Sequence, residues 1–174
     1  MRKKLIPFAY AKSLFEVEPS FFQKFGIKVL FLDLDNTLAP YSVSYPSEEC
    51  IAMIGRLKDA GLRCFVTSNN TGERVHRFCE ALGVECAAMM AKPFSFKLKR
   101  LMARENIAPE EAMLIGDQIQ TDVKAGNGAK VRTLLLEPLD PNDEPPWTKF
   151  NRFFDKPKRK KMAKLGLLKP WKEA

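Results

Sequence analysis

Five residues in this 174-residue sequence could do chemistry together, because each stands just after an apolar run. Asp33 and Asp35 close the run 27–32 within Phe31-Leu32-Asp33-Leu34-Asp35-Asn36-Thr37-Leu38, Ser68-Asn69-Asn70 follows the run 62–67, Lys92 follows 84–89, and Asp117 follows 112–115. Successive side chains alternate along a strand, so Asp33 and Asp35 share a side if the strand continues that far. At ~5 Å and an effective dielectric of about 20, two such charges repel by roughly 3 kcal/mol, and something must offset this. An all-oxygen set with no imidazole or thiolate suits a hard ion such as Mg²⁺ and disfavours zinc. The anion that fits Mg²⁺, a serine hydroxyl, backbone amides and a lysine is a phosphoryl group, whose transfer depends on positive charge around its oxygens. A Ser-His-Asp triad would have to use the single histidine, His76, which lies between Arg74 and Arg77 on an expected helix surface. The nucleophile left is a carboxylate, able to take the phosphoryl group and release it to water.

These residues need a scaffold that brings separate strand ends together. The pattern predicts strands at 27–32, 62–67, 84–89, 112–115 and 131–136. It places helices at 47–61, 72–82 and 94–105 and a short helical segment at 122–125, with Ser47 as a cap and Gly61 and Gly83 as stops. Apolar positions Phe94, Leu98, Leu101 and Met102 mark the buried face of the third helix. Strand and helix alternate, which predicts an α/β, Rossmann-like three-layer sandwich with a mostly parallel sheet. Ligands gather at the carboxyl ends of the strands in such sheets.

Composition narrows the class. A chain of this length fits one domain with a sizeable core, and 45% hydrophobic residues argue against wholesale disorder. Cys50, Cys64, Cys79 and Cys86 form no Cys-x-x-Cys pair and read as reduced, structural thiols. No apolar stretch approaches the roughly 18 residues that span a bilayer. The basic start and short apolar run at 1–11 are broken by Pro7 and Lys12, unlike a secretion signal, so a cytoplasmic location is expected. From Trp147 onward, ten lysines or arginines stand against Asp155 and Glu173, which accounts for the whole net charge of +8 and leaves residues 1–146 neutral. The chain therefore divides into a domain over 1–146 and a basic, aromatic tail over 147–174.

Asp33-Leu34-Asp35-Asn36-Thr37-Leu38, Ser68, Lys92 and Gly116-Asp117-Gln118-Ile119-Gln120-Thr121-Asp122 resemble, in order, the four motifs of the haloacid dehalogenase-like (HAD) phosphohydrolases. Ala11-Lys12-Ser13-Leu14-Phe15, Gly26-Ile27-Lys28, Ser68-Asn69-Asn70, Ala91-Lys92-Pro93 and Gly126-Asn127 are similar to the YqeG-type, class IIIA branch, and the likeness spans about residues 5–155. The resemblance implies that Asp33 attacks phosphorus and binds Mg²⁺. It implies that Asp35 protonates the leaving oxygen, then activates water, and gives its main-chain carbonyl to the metal. Ser68, with Asn69 beside it, would bind the phosphoryl oxygens; Lys92 would neutralise the aspartyl phosphate; Asp117 would complete the metal shell; and Asp122 would stand behind the metal or Lys92. Singly, Gly116-Asp117 could be a turn, Ser68-Asn69-Asn70 a cap and Lys92-Pro93 a helix start. Together those readings must explain four strand-end residues in the right order.

Members of this superfamily often carry a cap over small substrates, but only 32 residues separate Asp35 from Ser68 and 23 separate Ser68 from Lys92. No large cap fits, so an open site and a bulky substrate are expected: a lipid headgroup, a protein or a nucleic-acid end. Relatives of the YqeG type imply the lipid phosphate monoester phosphatidylglycerophosphate. The tail suits an anionic membrane, at the inner face of which the protein would be peripheral, with Phe150, Phe153 and Phe154 alternatively packed on the domain. The same composition suits RNA or a ribosome, and phosphatases of soluble nucleotides or sugar phosphates form a third class. Pro157 and Pro170 are expected to interrupt any long tail helix.

Overall fold

The computed structural model describes residues 5–70 and 72–174, so the first four residues of the basic start lie outside it. Among the described residues, six strands form one sheet in the order β1-β6-β5-β2-β3-β4, with every pairing parallel. They are β1 (Ala9–Ala11), β2 (Val29–Asp33), β3 (Arg63–Thr67), β4 (Glu85–Ala87), β5 (Ala112–Gly116) and β6 (Arg132–Leu136). The helices are α1 (Pro19–Lys24), α2 (Glu48–Asp59), α3 (Glu73–Leu82), α4 (Phe96–Arg104), α5 (Lys124–Gly128) and α6 (Pro146–Lys164).

Strand period and layering agree residue by residue. Leu30 and Leu32 of β2, Cys64 and Val66 of β3, and Met113 and Ile115 of β5 belong to one core, shared with Phe21 and Phe22 of α1, Met53 and Leu57 of α2, and Val75 and Phe78 of α3. The intervening Val29, Phe31, Phe65, Ala112 and Leu114 belong to a second core on the other face, closed by Leu98, Leu101 and Met102 of α4 and by Ala125 of α5. Sheets buried on both faces read as continuous apolar runs, which is how β2 and β5 read. Local chemistry sets the ends of the helices. The Ser47 hydroxyl accepts a hydrogen bond from Cys50 N at 3.1 Å to start α2. Gly83 stops α3 in the left-handed region at φ 58°.

Between Asp35 and Ser68 the chain holds a loop, α2 and β3, with no inserted domain. The strand expected at 84–89 is paired only over Glu85–Ala87, an edge position with one neighbour. α4 starts at Phe96, and Phe94, expected in its apolar stripe, is exposed because it precedes the helix. β1 and α1 carry too few residues to show a period in sequence.

Residues 146–164 form a 19-residue helix that runs through Pro157, contrary to the expected interruption. Pro157 removes one hydrogen bond on the solvent side, while Arg152 and Asp155 before it and Met162 after it are buried against the domain. The alternative packing of Phe150, Phe153 and Phe154 is also overturned. All three are exposed, and charged side chains occupy the inner face of α6 in their place.

Candidate active site

The carboxyl ends of β2, β3 and β5 are adjacent in the sheet, so the residues that follow them converge. β2 ends at Asp33, whose side chain is buried. Lys92, on the connection after β4, is buried beside it and directs its Nζ to three acceptors: Asp33 Oδ1, Asp122 Oδ1 at 2.8 Å and the Thr67 carbonyl at 3.2 Å. Burial works against the Lys92 ammonium, but the carboxylates of Asp122 and Asp33 outweigh it and hold the group protonated. Burial pushes Asp33 well above the usual carboxylate range, with Lys92 acting in the opposite direction.

Asn69 keeps the lysine in place. Its Nδ2 donates to the Lys92 carbonyl at 2.8 Å and its Oδ1 accepts from Lys92 N at 2.7 Å, so both ends of the amide are spent on the Lys92 backbone. Ser68 is fully buried, and its Oγ accepts from Asn70 N at 3.0 Å.

Asp117 follows β5 and is fully buried. Burial pushes its carboxyl up to about 7, against the opposing effect of Arg152. Asp122 sits in a π-helical turn, Ile119–Val123, and its Oδ2 accepts from Gln118 N and from Thr121 Oγ1, each at 3.1 Å. This turn explains Gly116. A Cβ there would lie 2.3 Å from Asp122 Cγ, so only glycine lets the aspartate fold back onto the strand end.

One oxygen from each of Asp33, Asp117 and Asp122 lies within 4.8 Å of the other two. Among the described residues, Asp117 Oδ1 is buried with no hydrogen-bond partner, and Asp122 Oδ1 has only its ion pair with Lys92. Orphaned buried carboxylate oxygens in an all-oxygen cluster are what a hard divalent cation would satisfy, so the residues fit Mg²⁺.

Asp35 lies beyond the end of β2 and outside this triplet. Its Oδ1 accepts from Arg74 Nη1 at 2.6 Å and its Oδ2 from Asn70 Nδ2 at 2.8 Å. All three guanidinium nitrogens of Arg74 are engaged, since Nε donates to the Val43 carbonyl at 2.7 Å and Nη2 to that of Pro40 at 3.0 Å. It thus ties Asp35 to the loop ahead of α2. His76 is exposed, as its helical surroundings predict.

A second constellation reaches the site from the chain's last helix. Arg152 of α6 pairs with Asp117 Oδ2, donates to the Asp117 carbonyl at 2.8 Å, and binds Glu144 Oε1 through Nε at 2.9 Å and Nη2 at 2.6 Å. Glu144 Oε1 also accepts from Asn36 Nδ2 at 2.7 Å, which closes a buried chain from the residue after Asp35 to Asp117. Arg159 donates to the Asp117 and Leu136 carbonyls, the latter at 2.7 Å. Neither Arg152 nor Glu144 stands out in sequence, since both lie in segments rich in charge and proline that read as surface.

The mouth is a cleft of about 80 Å³ in which Asp33, Asp35 and Lys92 face Trp147, Thr148 and Asn151 of α6. Ser68 does not line it, whereas Asn69 does.

The family described as haloacid dehalogenase-like hydrolase matches residues 7–130. The chain is 30% identical over 152 residues, 87% of its length and 88% of the other's, to "Probable phosphatase YqeG" of Bacillus subtilis (strain 168). Similar solved structures include the cobalt-bound deoxy-D-mannose-octulosonate 8-phosphate phosphatase of Haemophilus influenzae, at TM-score 0.52 and 19% identity over 72% of this chain and 75% of that one. Another is the 3-deoxy-D-manno-octulosonate 8-phosphate phosphatase of Yersinia pestis, at TM-score 0.51 and 14% identity over 68% and 67%. At these identities the structures speak for the fold.

Proposed function

The chain belongs to the haloacid dehalogenase-like hydrolases, and from that premise we propose that it is an Mg²⁺-dependent phosphatase whose substrate is a lipid phosphate monoester such as phosphatidylglycerophosphate. The observation that carries the reaction is the buried grouping of Asp33, Asp117, Asp122 and Lys92 at neighbouring strand ends, with Asp35 two residues beyond Asp33.

In the first half-reaction an Asp33 oxygen attacks phosphorus, the bond from phosphorus to the substrate's ester oxygen breaks, and Asp35 delivers a proton to that oxygen. In the second, Asp35 takes a proton from water as the water oxygen attacks phosphorus, and Asp33 leaves as a carboxylate. The Lys92 ammonium, already on Asp33, balances the charge of the aspartyl phosphate. Asn69 fixes the Lys92 backbone within the cleft wall, and Ser68, buried just behind that wall with its Oγ accepting from Asn70 N, would turn its own O–H toward a phosphoryl oxygen seated against Asp33. Asp33 and Asp117 would hold Mg²⁺ with the main-chain carbonyl of Asp35, and Asp122 backs both the metal and Lys92. Bound there, Mg²⁺ supplies positive charge against the phosphoryl oxygens.

The absence of an inserted domain and the small cleft support a substrate that offers its phosphate and keeps its bulk outside. Residues 1–146 then carry the reaction, apart from the contacts of Arg152, and residues 147–174 meet the anionic surface that presents the lipid. In this reading the protein is cytoplasmic and peripheral at the inner face of the membrane; no helix among the described residues is long and apolar enough to cross one. The test is phosphate release with and without Mg²⁺ by the intact chain and by Asp33→Asn, across phosphatidylglycerophosphate, mononucleotides, sugar phosphates and 3′- or 5′-phosphorylated RNA. Preference for the lipid, lost in Asp33→Asn, supports the proposal. Faster turnover of a soluble sugar phosphate or nucleotide removes the lipid assignment, and turnover that survives Asp33→Asn removes the mechanism.

A further inference from the structure

The helix α6 is inside out. Its buried side chains are Arg152, Asp155 and Met162, with Arg159 half-buried, spaced as one helical face. Arg152 is held on Asp117 and Glu144, and Asp155 Oδ2 accepts from Ile119 N at 2.8 Å. The phenylalanines are turned to solvent, with Phe150 65%, Phe153 73% and Phe154 43% exposed, and Trp147, 61% exposed, stands at the cleft mouth. A helix normally buries such groups, and here the charged face takes the domain and leaves the aromatic face without a partner among the described residues. We infer that this face docks on a bilayer containing anionic lipid, with the phenylalanines entering the interface and the cleft mouth held at headgroup level.

Three observations select that occupant. The helix carries eight lysines or arginines against one acid, and its six lysines lie outside the buried pairs, so the face suits a negative surface. A second copy of the same helix would bring like charges together. Phe150 and Phe153 each pack edge-on against Phe154, with ring centroids 5.1 and 5.5 Å apart. That makes one apolar block suited to acyl chains, whereas single-stranded nucleic acid uses separate rings on which successive bases stack. Trp147, one turn before Phe150 on the same helix, lines the cleft. The inference rests on the lipid reading of the site and adds the surface through which the enzyme would reach it.

The test uses the full chain and equimolar phosphatidylglycerol–phosphatidylcholine vesicles, with pure phosphatidylcholine as control. Wild type should sediment with the mixed vesicles and be released by high salt. The triple variant Phe150→Ser, Phe153→Ser, Phe154→Ser should bind about a hundredfold more weakly, while the matching leucine variant should stay within about threefold of wild type. Turnover of soluble p-nitrophenyl phosphate should be the same in all three. Mixed-vesicle binding that is absent, or unaffected by the serine changes, overturns the inference. Loss of single-stranded RNA binding in the serine variant with vesicle binding intact assigns the face to nucleic acid and also overturns it. The arms separate the two proposals: vesicle binding without phosphate release by wild type sinks the reaction, and phosphate release without vesicle binding sinks the surface.

Discussion

Replacing Arg152 with methionine tests whether the last helix is part of the site's electrostatics. The change keeps most of the side-chain length and removes the cation that two buried carboxylates share. Asp117 and Glu144 are 0% and 7% exposed, and Glu144 Oε2 already lacks a partner among the described residues. Removing one partner of a buried pair costs about 3–5 kcal/mol, because the remaining charge is left uncompensated. For a chain of this length that corresponds to a Tm lowered by about 6–20 °C. The pH dependence carries the mechanism. Burial holds Asp117 up to about 7 even with Arg152 present, and without the cation it must rise further. A carboxyl whose folded pKa exceeds its unfolded value keeps protons that the unfolded chain has lost, so stability falls as pH rises from about 4 through the folded pKa. The deficit of Arg152→Met, followed by thermal unfolding in chelator, should therefore be larger at pH 8 than at pH 5. Adding Glu144→Gln should recover part of it. A Tm within 2 °C of wild type, or an equal deficit at both pH values, would refute the reasoning.

Other outcomes follow from the same geometry. Arg74→Ala should lower kcat about a hundredfold with little change in KM, because Asp35 loses its aim while the phosphate's partners stay; a rise in KM alone would count against it. Mg²⁺ at a hundred times its Kd should stabilise the protein by about 2.7 kcal/mol, raising Tm by roughly 5–10 °C, and Asp117→Asn should abolish the shift in a thermal melt. Burial and Glu137 push the Tyr10 hydroxyl up to about 12. The folded protein therefore retains a proton that the unfolded chain releases near pH 10, and stability falls between pH 10 and 12, a slope that Tyr10→Phe should flatten in denaturant titrations. Burial pushes Cys50 up to about 11 and Cys64 up to about 12, so a thiol reagent at pH 8 should modify half-buried Cys86 first, as mass spectrometry would show.

What was legible in sequence is what one residue or one period declares. β2 and β5 are continuous apolar runs, and the acid at or just after each carboxyl end marks it, so the sheet and the candidate site were legible together. The partners of Asp35 and Asp117 were hidden. Arg74 lies in a helix with its charge at an ordinary spacing, and only the fold brings it 39 residues back to Asp35. Arg152 was concealed by its surroundings. Among lysines and phenylalanines its charge reads as solvated, and the side chains expected to pack inward are the ones that face out. Exposure on α6 is set by what the strand ends need, a cation for Asp117, which no periodicity within the helix encodes.

The outer neighbour of β1 arrives late in synthesis. Tyr10 N donates to the Lys169 carbonyl at 2.8 Å, Tyr10 bridges to Pro170, and Trp171 packs on Phe21 at 5.9 Å. A ribosome adds about 5–20 residues per second, so on the order of ten seconds separates the emergence of β1 from that of the segment that covers it. During that interval the nascent chain has an open strand edge, a liability for pairing with other chains. Asp117 waits a shorter time for Arg152, and the order of synthesis therefore makes the candidate active site one of the last parts of the molecule to be completed.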